Sequence, residues 1–301
     1  LAIDVLVVGN INIDLSFFVG RSPKSDEEVF ARDFTLFHGG SAANFAVAVS
    51  RLGLRCGIVG CVGIDSLGEE ALNALKADGV STKFTVSSKT RHTGAVCVIV
   101  ENGGLRKMIA YRGANEELIS LVKDHLIKEQ LKNVKVIQLS NVNKAVLSET
   151  LKSKSAIISL DPGGEAEHLD INDLEGLDIL LLNKTECESL TSLDYNKGAR
   201  VLSKRIGTVV VKQGNRGAFV RSGEKILKQP AFDVEVADTT GAGDAFDAGF
   251  IAATCLGKNL EEALIWGSGV AALKIQKKGA RNGLPRMSEL LAFLEQKKQQ
   301  I

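Results

Sequence analysis

The sequence predicts a doubly wound α/β fold: a mostly parallel sheet flanked by helices, with a small β-sheet lid. Three observations carry this. Apolar runs of strand length recur along the chain, helical patterns lie between them, and two β-like segments break the rhythm. Alternating strands and helices build parallel sheets covered on both faces.

The runs are VLVVG near Val5, CGIVGCVG near Ile58, VKVIQLS near Val136, SAIISLD near Ile158, DILLLN near Leu180 and GTVVVKQG near Val210. They are continuous rather than alternating, as expected of strands buried on both faces. SAANFAVAVSRLG, Ser41 to Gly53, reads as a helix with Ser41 as N-cap and Gly53 at C′. SLGEEALNALKADGV, Ser66 to Val80, reads as another. EEVFARDFTLFHGG and HTGAVCVIVENGGLRKMIAYRGAN read as antiparallel strands, the second with a hairpin turn at ENGG. Their partly polar faces suit a small sheet outside the main layer. A lid from residues 15–38 and 91–113 is one reading, and an added edge of the main sheet is the other. From Gly241 the chain is mostly helical, ending in MSELLAFLEQKKQQI. Without repeats or linkers, residues 1–301 are expected to form one α/β domain with an appended lid.

Composition narrows the function. A formal net charge of +1 gives no basic excess for nucleic acid. No apolar run reaches the roughly 18 residues of a membrane span. The opening LAIDVLVVGNINID reads as a buried strand rather than a signal peptide, and a cytoplasmic protein is expected. Five cysteines without a CxxC pair suit reduced thiols, and no HExxH points to zinc.

DTTGAGDAF, Asp238 to Phe246, carries the chemistry. A dinucleotide fingerprint would follow the first strand, but GNINID stands there with Gly9 alone. In GAGDAF the third glycine position holds Phe246, and Asp244 would set negative charge beside a pyrophosphate. There is no GxxxxGK[ST], and nothing supports acyl transfer. An anion cradle fits better. Gly241 to Gly243 precede a helix expected near Asp244, whose first amides point outward with the positive end of the dipole behind them. Asp244 is then either a base for an attacking hydroxyl or a plain helix cap. NKTE, Asn183 to Glu186, opens a helix after a buried strand: a site for hydrated Mg²⁺ near phosphates, or a cap with a first-turn acid. In NINID, Asn12 and Asp14 either fork onto two vicinal hydroxyls or make a turn. In HGGSAAN, Gly39 and Gly40 allow close approach and Asn44 adds a donor and an acceptor.

With these motifs assembled, the sequence resembles the ribokinase-like (PfkB) family of carbohydrate and nucleoside kinases. GGSAANFAVAVSRLG is similar to its first signature and DTTGAGDAFDAGF to its second, with Asn183 and Glu186 between them. The resemblance runs from about Val5 to the C-terminus. It implies transfer of the γ-phosphoryl group of ATP to a sugar-type hydroxyl, with Asp244 as base and the amides of Gly241, Ala242 and Gly243 as anion hole. It implies that Asn183 and Glu186 organise Mg²⁺ and its waters. Lys212, Gly214 and Gly217 would contact the nucleotide, with Ser268 near the adenine. Asn12, Asp14, Gly39, Gly40 and Asn44 would hold the acceptor. A monovalent cation, K⁺, is implied at Asp238, Thr240 and the backbone carbonyls of Ile275, Lys278 and Ala280. The lid would exclude water and serve as a homodimer clasp.

Departures from the family pattern bear on the acceptor. Ribokinases proper carry Lys where Ser41 stands and Glu where Ser140 stands. Arg112 either meets an acidic or phosphorylated acceptor or is a solvated lid charge. A ribose-like or nucleoside acceptor is favoured; a fructose-type sugar or a 2-keto-3-deoxy sugar acid is the alternative. A non-catalytic sugar- or nucleotide-binding regulator on the same fold is the reading from another class.

Overall fold

The computed structural model describes residues 3–103, 105–124, 133–153 and 156–298. Gly104 of the expected hairpin turn, Ser155 of the fourth apolar run and the last three residues of the expected terminal helix lie outside them.

The main sheet has nine strands. Along the chain they are β1 (Val5–Gly9), β4 (Cys56–Gly63), β5 (Ser81–Ser88), β8 (Val136–Ser140), β9 (Ile157–Asp161), β10 (Ile179–Asn183), β11 (Thr208–Lys212), β12 (Ala218–Ser222) and β13 (Lys225–Gln229). The spatial order is β13-β12-β11-β10-β9-β8-β1-β4-β5. All pairs from β5 to β11 are parallel, and β12 and β13 add antiparallel strands at one edge. The six apolar runs are the six strands from β4 to β11, as their two-sided burial requires. The chain moves outward from β1 to β4 and β5, then returns to β8 and runs the other way. That reversal beside β1 is the topological switch point, where open α/β sheets hold ligands.

Helices cover both faces: α1 (Ser41–Arg51), α2 (Ser66–Ala77), α3 (Leu118–Lys123), α4 (Lys144–Thr150), α5 (Lys184–Thr191), α6 (Tyr195–Leu202), α7 (Ala242–Cys255), α8 (Leu260–Lys274) and α9 (Met287–Lys298). Two apolar clusters sit one on each face of the sheet, the larger under α1, α7 and α8. The N-cap of α1 is Gly40, not Ser41. Gly40 sits at φ 88°, and no side chain caps that end, so Ser41 is the first helical residue. Gly53 takes the expected C′ place at φ +84°. Helices α7 and α8 pack closely because small residues face each other. A Cβ at Gly249 would meet the Trp266 carbonyl at 2.8 Å, and one at Gly267 the Phe246 carbonyl at 2.9 Å.

The two β-like segments supply β3, β6 and β7 of a separate four-stranded sheet, β3-β2-β6-β7, rather than an added edge; β2 precedes them in the chain and pairs with β6 in parallel, so the sheet is mixed rather than antiparallel throughout. Its strands are β2 (Asn12–Phe18), β3 (Asp33–Gly39), β6 (Gly94–Val100) and β7 (Arg106–Tyr111). Two boundaries differ from expectation. NINID is not a turn: β2 starts at Asn12. Glu27 to Arg32 is irregular, with pairing only from Asp33. Asn12 and Asp14, two apart on β2, share one face.

Candidate active site

The carboxyl ends of the parallel strands line up in register. Gly9 lies beside Ser140 and Ser140 beside Asp161; Asn183 lies beside Lys212. Above this row a cleft of about 730 Å³ is lined by Asp161, Asn183, Glu186, Lys212, Gly214 and Gly217 on one side and by Ala242, Gly243, Asp244 and Ser268 on the other. Every residue expected at the nucleotide therefore shares one cavity with the glycine cradle.

The cradle helix begins two residues earlier than expected. Gly241 is the N-cap of α7, in the left-handed region at φ 73° that glycine adopts without strain. The Ala242 amide donates to the Thr239 carbonyl at 3.1 Å, whereas helix geometry aims the amides of Gly243 and Asp244 out of the N-terminus. Asp244 does not cap this helix. Its Oδ2 accepts from the Asn44 amide group at 2.9 Å, across 200 residues of chain. Burial raises its pKa to about 6, a rise that Asp161 adds to and that the Asn44 bond, Lys212 and Arg281 oppose.

Lys212 ends β11 and reaches back under the cradle. Its Nζ donates to Asp161 Oδ2 at 2.8 Å and to both oxygens of Asp247 at 2.9 Å. Burial alone would lower its pKa, but Asp161, Asp247 and Glu186 hold it above the ordinary lysine value. Burial likewise disfavours ionised Asp161, yet Lys212 outweighs it and keeps that carboxyl below its usual range. Asp247 is pushed well up by burial. Asn183 and Glu186 form a full capping box: the Asn183 side chain accepts from the Glu186 amide at 2.9 Å, and Glu186 accepts from the Asn183 backbone at 2.7 Å and side chain at 2.6 Å. Cap and cleft wall are the same residues. Burial and the charges of Asp161 and Asp244 raise Glu186 to about 7.

The residues expected at the acceptor gather at the junction with the small sheet. Gly39 ends β3, Gly40 caps α1, and Asn44 lies one turn into α1. Asn12 Oδ1 accepts from Asn115 Nδ2 at 2.9 Å. Burial raises Asp14 to about 6, while Arg281 pulls it down. Arg112 does not turn to this group. Its guanidinium pairs with the buried carboxylate of Glu165, in the turn after β9.

Five residues not singled out in the sequence shape the site: Asp161, Asp247, Asn115, Arg106 and Arg281. Arg281 is buried; its Nε donates to Asn44 Oδ1 at 2.9 Å and its Nη2 to the Gly39 carbonyl at 2.8 Å. It thereby fixes the Asn44 amide so that its N–H faces Asp244. Asp247 had a signal: it stands three residues after Asp244, on the same helix face.

The oxygens expected around a monovalent cation do not form an open cage. Asp238 Oδ1 accepts from the Thr240 amide at 3.0 Å, the Thr240 hydroxyl at 2.7 Å and Arg106 Nη2 at 3.0 Å. Asp238 Oδ2 accepts from the Gly279 amide at 2.9 Å. The Ile275 carbonyl accepts from the amides of Ala237 and Asp238, at 2.8 and 3.0 Å, and the Lys278 carbonyl accepts from Asn282 at 3.0 Å. The Ala280 carbonyl lies against Gly241. The residues present therefore do not fit a free monovalent ion.

Residues 2–287 match the model of a family described as pfkB family carbohydrate kinase. The chain belongs to that family. It is thus a phosphotransferase, a ribokinase-like kinase. Ribokinase of Haemophilus influenzae is similar to this kinase at 32% identity, covering 96% of this chain and 97% of its own. An ATP-dependent ribose-1-phosphate kinase of Halopiger xanaduensis is 30% identical, over 97% of this chain and 98% of its own. Among solved structures, Arabidopsis thaliana ribokinase complexed with ribose and ATP superposes with a TM-score of 0.91 at 28% identity, covering 98% of this chain and 99% of that one. A ribokinase II from E. coli in complex with ATP and Mg²⁺ gives 0.83 at 25% identity, covering 98% and 99%. The nine-stranded sheet and second small sheet of this kinase are the ribokinase-like fold. Among the described residues, no helix is long and apolar enough to cross a membrane.

Proposed function

We propose that this kinase transfers the γ-phosphoryl group of ATP to a hydroxyl of a ribose-like or nucleoside acceptor, with Asp244 as the base. The observation that carries the reading is Asp244 itself: a half-buried carboxylate on the first turn of α7, held from the acceptor side by Asn44 and opening on the cleft that Lys212, Asn183 and Glu186 line.

Phosphoryl transfer depends on positioning and on stabilising charge rather than on covalent help from the protein. The amides of Gly243 and Asp244 offer unpaired donors to the migrating group, backed by the helix dipole. The acceptor hydroxyl lies between Asn12, Asp14, Gly39 and Asn44 on one side and Asp244 on the other. As it attacks, Asp244 takes its proton, and a pKa near 6 leaves the carboxylate ionised at neutral pH while still basic enough for the task. Lys212, locked by two acids, sets positive charge below the cradle without blocking it. Gly214, Gly217 and Ser268 border the nucleotide, and the buried Ser268 hydroxyl, which has no hydrogen-bond partner among the described residues, is placed to meet the adenine.

The donor set fits Mg²⁺. Hard oxygens surround the phosphate position: Glu186, Asp161 and Asp244 stand there with Lys212, and Glu186 is raised first by burial and then by the charges of the two aspartates. Among the described residues no group of three His, Cys, Asp or Glu could hold a metal by itself, which suits an ion held mainly by phosphates and waters. When bound, Mg²⁺ would neutralise phosphate charge; Asn183 and Glu186 would hold its waters. The small sheet serves as the lid, and its outer face as a homodimer contact. Such a kinase works in the cytoplasm.

A phosphorylated acceptor is the second reading. Buried Arg281 leaves Nη1 without a partner among the described residues, beside Asn44, and one relative is named for ribose 1-phosphate. The test is a coupled ATP assay against ribose, ribose 1-phosphate, nucleosides, fructose and 2-keto-3-deoxy sugar acids, with Asp244→Asn as control. Turnover on ribose or a nucleoside that Asp244→Asn loses supports the proposal. Tight sugar binding with no turnover on any acceptor would favour a non-catalytic regulator.

A further inference from the structure

Lys274, the last residue of α8, has no exposed surface. Lysines are almost never buried without a carboxylate partner, yet among the described residues its ammonium forms no ion pair. It donates to the backbone carbonyl of Asp238 at 2.8 Å. Asp238 opens the loop that leads through Thr240 and Gly241 into the cradle. Burial, joined by the nearby Arg106, works against the charged lysine and sets its pKa below the ordinary value, while the carboxylates of Asp238 and Asp244 work for the charge.

Its place is informative. The carbonyl it holds belongs to the residue whose side chain was expected to bind a monovalent ion, and the neighbouring carbonyl of Ile275 already accepts from two amides. A second cation brought from solvent would sit against an ammonium in a low-dielectric interior, where like charges repel strongly. An ammonium and K⁺ carry the same charge and take the same hard oxygen acceptors. The ammonium arrives with the fold, so no ion has to be captured from solution.

We propose that Lys274 is a tethered monovalent cation, which sets positive charge behind the Gly241–Asp244 cradle and makes this kinase indifferent to K⁺. The inference rests on reading that loop as the phosphoryl cradle. Its role is positioning: it fixes the Asp238 carbonyl, and with it the loop, without touching substrate.

The experiment compares KCl, NH₄Cl and tetramethylammonium chloride at one ionic strength, reading melting temperature and Mg·ATP affinity by calorimetry. The wild type is expected to melt alike in all three and to bind Mg·ATP with affinities within about twofold. Lys274→Met keeps the apolar stem and removes the charge. It is expected to bind Mg·ATP about tenfold more weakly in tetramethylammonium, and to recover affinity and melting temperature in KCl or NH₄Cl as the ion becomes a ligand of the folded state. A wild type stabilised by K⁺ over tetramethylammonium overturns the proposal. So does a folded Lys274→Met protein that binds Mg·ATP as the wild type does and ignores K⁺. If that variant does not fold, the wild-type melting comparison still decides. Melting needs no acceptor, so its result stands apart from success or failure of the kinase assay.

Discussion

The site has two walls of opposite character, one lining the cleft and the other on the acceptor side. One is made by the carboxyl ends of β9, β10 and β11, where Asp161, Asn183 and Lys212 stand on buried strands, Lys212 locked to Asp161 and Asn183 to Glu186. The other is the small sheet, whose outer strand β7 is exposed along its whole length. The first wall holds its charges out of water, and the pKa values of Asp244 and Glu186 move accordingly. The second reaches across through two half-exposed arginines: Arg106 onto Asp238 and Thr240, and Arg112 onto Glu165. Each arginine is exposed to solvent, while the carboxylate it meets is largely buried. Under the proposed function, the contrast gives the phosphate chemistry its fixed geometry and makes the small sheet, with its solvated outer strand, the part that moves.

The largest test of this contrast is Asp244→Asn. Turnover should fall by about 10³-fold or more while Mg·ATP binding persists. Stability should hold or rise. Folding raises the Asp244 pKa from 3.8 to about 6, so the stability tied to its protonated form is fully present below pH 3.8 and lost as pH rises through about 6. At neutral pH the ionised carboxylate thus opposes folding by on the order of 3 kcal/mol. An asparagine removes that opposition. A melting temperature several degrees below wild type would mean that the wall is held together by Asp244, not strained by it.

The same wall sets the pH profile. kcat/KM should decline as pH falls through about 7 to 6, where Glu186 and then Asp244 take up protons. Glu186→Gln should remove the upper part of this limb and raise the Mg²⁺ concentration needed for half activity. A limb placed near 4 in the wild type would show carboxylates that solvent reaches freely.

How much of this was legible in the sequence follows the same division. The buried strands announce themselves, because two-sided burial demands continuous apolar residues, and the cradle does so because glycine and a first-turn acid are local signals. The small sheet is harder. NINID, at the start of β2, is rich in Asn and Asp, which suit a turn as well as a ligand, so both readings stay open in the sequence. The network that activates the site is long-range: Lys212 meets Asp161 across 51 residues, and Arg281 meets Asn44 across 237. No spacing rule joins such pairs. Lys274 did leave a trace, a lone charge in the apolar stretch GVAALKI, but its partner is a backbone oxygen that sequence does not mark.

On the other wall, Arg106→Gln should cost about tenfold in kcat/KM and raise ATP hydrolysis relative to transfer, because the small sheet then closes less firmly over the cradle. Melting temperature should change by no more than a few degrees, since Asp238 keeps its bonds from Thr240 and Gly279. Unchanged coupling of hydrolysis to transfer would leave Arg106 a surface charge with no part in closure.

The mildest effect on chemistry is expected at the outer face of the small sheet. Strand pairing sets Leu36, Leu15, Cys97 and Ile109 in one row and Phe34, Phe17 and Ile99 in the next. The same face shows Phe34, Ile109 and Tyr111 at 50%, 69% and 49% exposure, a concentration of apolar surface that marks an interaction site. It lies opposite the face that carries Asp14 and Arg106, so covering it with a second copy leaves the cleft open. A two-fold contact repeats each residue against its partner's copy, so one added charge is felt twice. The double variant Phe34→Lys, Ile109→Lys should therefore sediment as a monomer at concentrations where the wild type is a dimer, with turnover per site within about threefold of wild type. A wild type that is monomeric throughout, or a double variant that stays dimeric, removes this face from consideration. If the dimer separates and turnover collapses with it, the small sheet needs its partner to close, and the two walls differ less in rigidity than in where their support comes from.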